Sequence, residues 1–130
     1  MAVASAANPG TTAAQHLEGA WGAAYGRLPN AGESYREAIK AVEAAAIPVV
    51  EPNNHKATLG TVLRQLATTS GQWATTAPAT EPLVVEMTKV LWSQQVGRHG
   101  AAGSGPPPAH TPEEAKAAVH LAATLVQWFP

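Results

Sequence analysis

The sequence contains no cysteine. Disulfides, thiolate zinc sites and cysteine nucleophiles are therefore excluded. It contains no aspartate either, so all of its acidic groups are glutamates. That removes a Ser-His-Asp triad and any aspartate-based Mg²⁺ or Ca²⁺ loop. Charge is scarce: 13% of residues are charged, against about a quarter in an ordinary domain. The 8 basic and 9 acidic residues nearly cancel, for a formal net charge of -1. A broad electrostatic footprint for nucleic acid is missing, which leaves room only for a small local basic site. No stretch reaches the ~20 apolar residues of a membrane span. The opening "MAVASAANPG" lacks the basic residue and apolar run of a signal peptide. A cytoplasmic protein with no membrane partner is the expectation. No strand pattern and no internal repeat stands out.

What is present is apolar and helix-forming. Hydrophobic residues make up 45% of 130 positions, enough for one domain with a core. Alanine is used heavily, which favours helix. Residues 1–11 read as a flexible tail, and residues 12–130 as a single helical domain. The chain could also be the C-terminal piece of a longer protein.

A first helix is predicted over Thr12–Arg27, with Leu17, Ala20, Trp21, Ala24, Tyr25 and Leu28 on one buried face. Gly19, Gly22 and Gly26 lower its intrinsic stability and offer a neighbouring helix a close approach. A second helix starts near Glu33 and buries Tyr35, Ala38, Ile39, Val42 and Ala46. Pro48 ends or kinks it. Asn53 or Asn54 is available to cap a third helix, about Lys56–Thr69, which buries Leu59, Val62, Leu63 and Leu66. Gly71 closes it.

"APATEP" opens a fourth helix, with Thr80 as cap and Pro82 in the first turn. Its apolar residues point two ways, Val84, Met87, Val90 and Leu91 to one side and Val85, Trp92 and Val96 to another. Residues 97–110 read as a Gly/Pro-rich loop. "TPEE" then starts a fifth helix, with Thr111 as cap, Pro112 first and Glu114 closing a capping box. That helix has two apolar stripes. One is Ala115, Ala118, Val119, Ala122, Leu125, Val126 and Phe129. The other is Ala117, Leu121, Thr124 and Trp128. A surface helix of a small bundle needs only one. The fifth helix is thus central, or it buries its second face against another chain. The expected fold is an all-α, up-and-down bundle of about five helices that forms a homodimer through its last two.

Arg98 and His99 are cations where the fourth helix runs out. They are either dipole-complementing punctuation or a functional pair. His16, His55, His110 and His120 show no ligand spacing, and neither aspartate nor cysteine supports them, so no metal and no cofactor is expected. Trp21, Trp73, Trp92 and Trp128 read as core or interface anchors rather than a base-stacking set. Lys56 and Arg64, the basic residues of the third helix region, are candidate phosphate contacts or a solvated face.

Several pieces carry a family likeness. "SYREAIKAVEAAA" resembles the first core helix of the HEPN superfamily of small helical bundles. "KATLGTVLRQL", then "RHG", a loop and "EEAKAAVHLAATLVQWF" resemble the C-terminal domain of bacterial abortive-infection proteins of phage defence. The resemblance implies an RNA-directed domain that works as a dimer and cuts without metal. It implies a histidine that moves a proton at the ribose 2′-hydroxyl or leaving oxygen, and an arginine that holds the phosphate. His99 matches that histidine and Gly100 the glycine that often follows it. Trp92, Ser93 and Gln94 stand where the arginine belongs. Gln94 or Gln95 takes the polar position, and Arg98 is the neighbouring cation. Glu43 matches a position where related helices often carry a glutamate, expected here as a solvated or dimer-rim charge. Two functions stay open. One is a divergent HEPN-like defence or toxin-type domain acting on RNA, a metal-independent endoribonuclease. The other is a non-catalytic module for dimerisation or for binding a partner protein or domain of such a system.

Overall fold

The computed structural model describes residues 12–68, 81–99 and 109–129. They form five α-helices: α1 Thr12–Tyr25, α2 Ala31–Val50, α3 Leu59–Thr68, α4 Glu81–His99 and α5 Pro112–Trp128. There is no strand among the described residues. The protein is an all-α bundle. None of its described helices is long and apolar enough to cross a membrane.

α2 and α5 pack against each other at the centre. On one side α1 lies across both. On the other, α3 packs on α2, α4 on α3 and α5 on α4, which closes a four-helix ring. The two central helices supply most of the core. α5 buries Ala115, Ala118, Val119, Ala122, Leu125, Val126 and Phe129, the whole of its first expected stripe. α2 buries Tyr35, Ala38, Ile39, Ala41, Val42 and Ala46. Each fully buried leucine or valine is worth about 1.5–3 kcal/mol over exposure. Alanine contributes less, so α1, which buries Ala13, Ala14, Leu17, Ala20 and Ala24, gains little area per residue. A buried hydrogen bond ties it down as well, from Ser34 Oγ to the Ala20 carbonyl at 2.7 Å.

Local signals set several helix ends. Thr111 caps α5 by accepting from the Glu114 N–H at 3.1 Å, and the Glu114 carboxylate accepts the Thr111 N–H at 2.8 Å. That is the expected capping box. α2 begins earlier than expected, because the Asn30 side chain accepts the Glu33 N–H at 3.0 Å and so caps a helix starting at Ala31. Pro48 does not end α2. Only Val49 and Val50 follow it in the helix, and the Glu51 N–H closes onto the Ile47 carbonyl at 2.9 Å.

Neither Asn53 nor Asn54 caps α3. The side chain of Asn54 instead bonds the Lys56 N–H and the Glu51 carboxylate. Thr58 and Thr61 exchange backbone N–H to hydroxyl bonds of 2.9 and 3.4 Å, so Thr58 is the cap and α3 starts at Leu59.

Several expected positions move. Tyr25 is 43% exposed rather than buried, its hydroxyl reaching His120 at the surface. Leu28 is 91% exposed, because α1 stops at Tyr25 and Leu28 falls in the turn toward Asn30. Leu63 is only half-buried. α4 does not stop before Gly97 but runs on to His99, since one glycine raises helix free energy by only about 1 kcal/mol. The close approach between helices is at Gly60 rather than in α1. A Cβ on Gly60 would lie 2.7 Å from the Trp92 ring, so the indole of α4 rests on bare α3 backbone. Thr80, Gly71 and Trp73 lie outside the described residues.

Candidate functional site

The end of α4 carries the motif positions. Gln94 is exposed. Gln95 is half-buried, and its Oε1 is buried without a hydrogen-bond partner. Arg98 and His99 are the last two residues of the helix; their side chains lie outside the described set. Ser93 hydroxyl donates back to the Val90 carbonyl at 3.2 Å, and Trp92 is committed to packing on Gly60. The positions where the family resemblance places an arginine are thus occupied by a packing residue, a self-bonded serine and an exposed amide.

Lys56 and Arg64 belong to the neighbouring α3 region and are both exposed. Lys56 lies in the α2–α3 connector, and Arg64 one turn past Gly60. Among the described residues neither forms an ion pair, and no hydrogen bond joins either to Gln94 or Gln95. The proximity of α3 to α4 is the only link between them and the end of α4.

The other four histidines are each in separate surroundings. His16 Nδ1 is paired with the Glu37 carboxylate, which also faces Lys40 at 3.9 Å. His120 Nε2 is hydrogen-bonded to the Tyr25 hydroxyl at 2.9 Å and meets the Trp21 ring edge-on. His110 stacks on Tyr35 with ring centres 4.0 Å apart and planes 5° from parallel. His55 is exposed. Among the described residues no group of three His or Glu side chains could hold a metal ion. A cavity of about 60 Å³ lies between Ala23, Ala24, Pro29, Ala31, Pro112 and Ala115. Among the described residues it is lined by no titratable side chain, and neither Gln94 nor Gln95 lines it.

Glu43 corrects the sequence reading. It is not a solvated charge but a half-buried carboxylate at the α2–α3 junction, accepting the Leu59 N–H at 2.7 Å. It thus satisfies a free donor at the start of α3 and faces the positive end of that helix. Sequence alone hides this, because the partner lies 16 residues on. Burial raises the Glu43 carboxyl above its ordinary 4.5, against the opposing pull of the Leu59 N–H, Lys40 and His16.

A raised native value means the folded state holds the proton more tightly than the unfolded chain. Unfolding free energy therefore falls as pH climbs from 4.5 through the native value. Glu43→Gln keeps an acceptor for Leu59 and removes the titration. Urea denaturation between about pH 4 and about pH 7 should show the variant gaining on the parent as pH rises. A constant difference would contradict it.

No family model, curated protein or solved structure matches this chain.

Proposed function

We propose that this protein is a divergent HEPN-like domain of a bacterial phage-defence or toxin-type system, cytoplasmic, dimeric and acting on RNA. The observation that carries the reading is the end of α4. Gln94, Gln95, Arg98 and His99 all fall in the last turns of the helix before α5, which supports the resemblance at its polar and histidine positions, with Arg98 standing outside the pattern's own arginine position. In this reading His99 moves the proton, Arg98 supplies the charge for the phosphate, and Gln94, Gln95, Lys56 and Arg64 line the path of the RNA. No metal takes part. Cleavage of mixed cellular RNA by the purified protein in the presence of chelator tests it. A parent protein that cuts nothing over a wide concentration range sinks it.

One observation favours a second reading. No arginine stands at residues 92–94, and Trp92 is spent on Gly60. A non-catalytic dimerisation or partner-binding module needs no such arginine. The first reading and the dimerisation form of the second require a dimer, and α5 supplies a surface. Its second stripe is half-open: Ala117 is exposed, and Leu121, Thr124 and Trp128 are half-buried, with Trp128 packed partly on its own core. Light scattering at micromolar concentration should give twice 13.4 kDa. A monomer at that concentration would refute the homodimer and leave only partner binding standing.

A further inference from the structure

We infer that the α1–α2 turn is a contact between two copies of this chain, in which Leu28 of each copy enters an apolar hollow on the other. Leu28 is 91% exposed, the most exposed large apolar side chain among the described residues. It is also held in place. The Gly26 N–H closes on the Gly22 carbonyl and the Asn30 N–H on the Ala23 carbonyl, both at 2.8 Å. A Cβ on Gly26 would collide with the Gly22 carbonyl oxygen, so the chain can fold back here only on a glycine. Pro29 fixes its own φ and confines the residue before it, Leu28, to extended backbone. A leucine presented on so braced a turn loses little backbone freedom when it is covered.

The hollow lies beside it. The cavity of about 60 Å³ between Ala23, Ala24, Pro29, Ala31, Pro112 and Ala115 is partly open to solvent. Its walls are alanine and proline alone, so no side chain there offers water a hydrogen bond. Leu28 is the neighbour of Pro29 yet does not line the hollow, so the chain's own leucine leaves it unfilled. A second copy can fill it. Knob and hollow lie side by side at one end of the bundle, so a two-fold axis between them inserts both leucines at once. Such a contact is isologous and closed.

Charge points to the same occupant. Arg27 precedes Leu28, Glu33 comes two positions after Ala31, and Glu113 follows Pro112. All three are exposed, and among the described residues none of them forms an ion pair. Leu28 seated against Ala31 and Pro112 of the other copy carries Arg27 toward that copy's Glu33 and Glu113, and the axis repeats the match. Tyr25, 43% exposed, adds apolar surface next to the turn. The area is small, which makes the contact a weak one. It is separate from the pairing through α5 and does not rest on the function proposed above.

Sedimentation equilibrium from about 10 µM to about 1 mM covers the range of a weak contact. The mean mass of the parent should rise across it. Leu28→Glu removes the knob, and Ala31→Leu fills the hollow from its own chain. Each should weaken this step about tenfold or more, the worth of one leucine left uncovered. Leu28 is exposed and Ala31 half-buried in the first turn of α2, so both variants should keep the fold, as urea denaturation will check. If Ala31→Leu does not fold, Ala23→Leu fills the hollow from α1. A parent mass that does not rise, or that rises equally in Leu28→Glu, overturns the inference. Loss in Leu28→Glu with none in the hollow-filling variant would mean that the leucine seats elsewhere, and overturns it as well.

Discussion

His99→Ala is expected to lower the proposed metal-independent RNA cleavage by about 10²–10⁴-fold, the usual contribution of a positioned proton-transfer group. In the reading proposed above, where no metal takes part, the step is attack of the ribose 2′-hydroxyl on the adjacent phosphate, which expels the 5′-oxygen of the next nucleotide. That step needs a group that titrates near neutrality to move the proton, and histidine is the side chain that does so unperturbed. It also needs a cation to hold the charge that develops on the phosphoryl oxygens. Gln94 has none, so Arg98 is the neighbour left for it. Arg98→Ala should cost about 10²–10³-fold, the range for losing one donor to a developing oxyanion. The products should end in a 2′,3′-cyclic phosphate. Cleavage that survives His99→Ala would come from another site or another protein. The assay compares parent and both variants on mixed cellular RNA with chelator present.

Tyr35→Ala is expected to cost about 3–5 kcal/mol of stability, the range for removing a large buried aromatic. Three parts of the fold meet at this residue. Its ring is buried at 3% exposure in the α2 stripe. Its hydroxyl donates to the Leu91 carbonyl of α4 at 2.7 Å, and His110, just ahead of the α5 cap, stacks on its face. Truncation leaves a cavity and deprives α4 of its only described side-chain hydrogen bond to α2. Tyr35→Phe keeps the volume and the stack and loses one hydrogen bond, for about 0.5–1.5 kcal/mol. Urea denaturation of the two variants separates packing from bonding. A Tyr35→Ala loss no larger than that of Tyr35→Phe would show that the ring is not the keystone of this junction.

The features legible in the sequence are those encoded within one helix turn or one period. The capping box of α5 rests on residues three apart, Thr111 and Glu114, and a spacing of that kind is visible in any sequence. The buried stripes of α2 and α5 follow from the helical repeat, and the core contains them. Composition alone excluded thiol chemistry and aspartate-based sites. The helical class and the five helices of the described residues followed from these local rules.

Tertiary structure decided what depends on partners distant in sequence. Glu43 reads as a surface charge until Leu59, 16 residues away, is placed beside it. His16 reads as unattached until α1 lies across α2 and reaches Glu37, and Tyr35 reads as plain core until Leu91 arrives 56 residues later. The same holds for α4. Its sequence shows apolar residues on several faces, but only packing against α3 and α5 chose to bury Thr88 and Gln95 and to expose Leu83 and Val90. Periodicity says that a face is apolar; it contains no statement of which face the neighbours will cover. That choice belongs to the summed burial of all five helices, and the other four carry most of it.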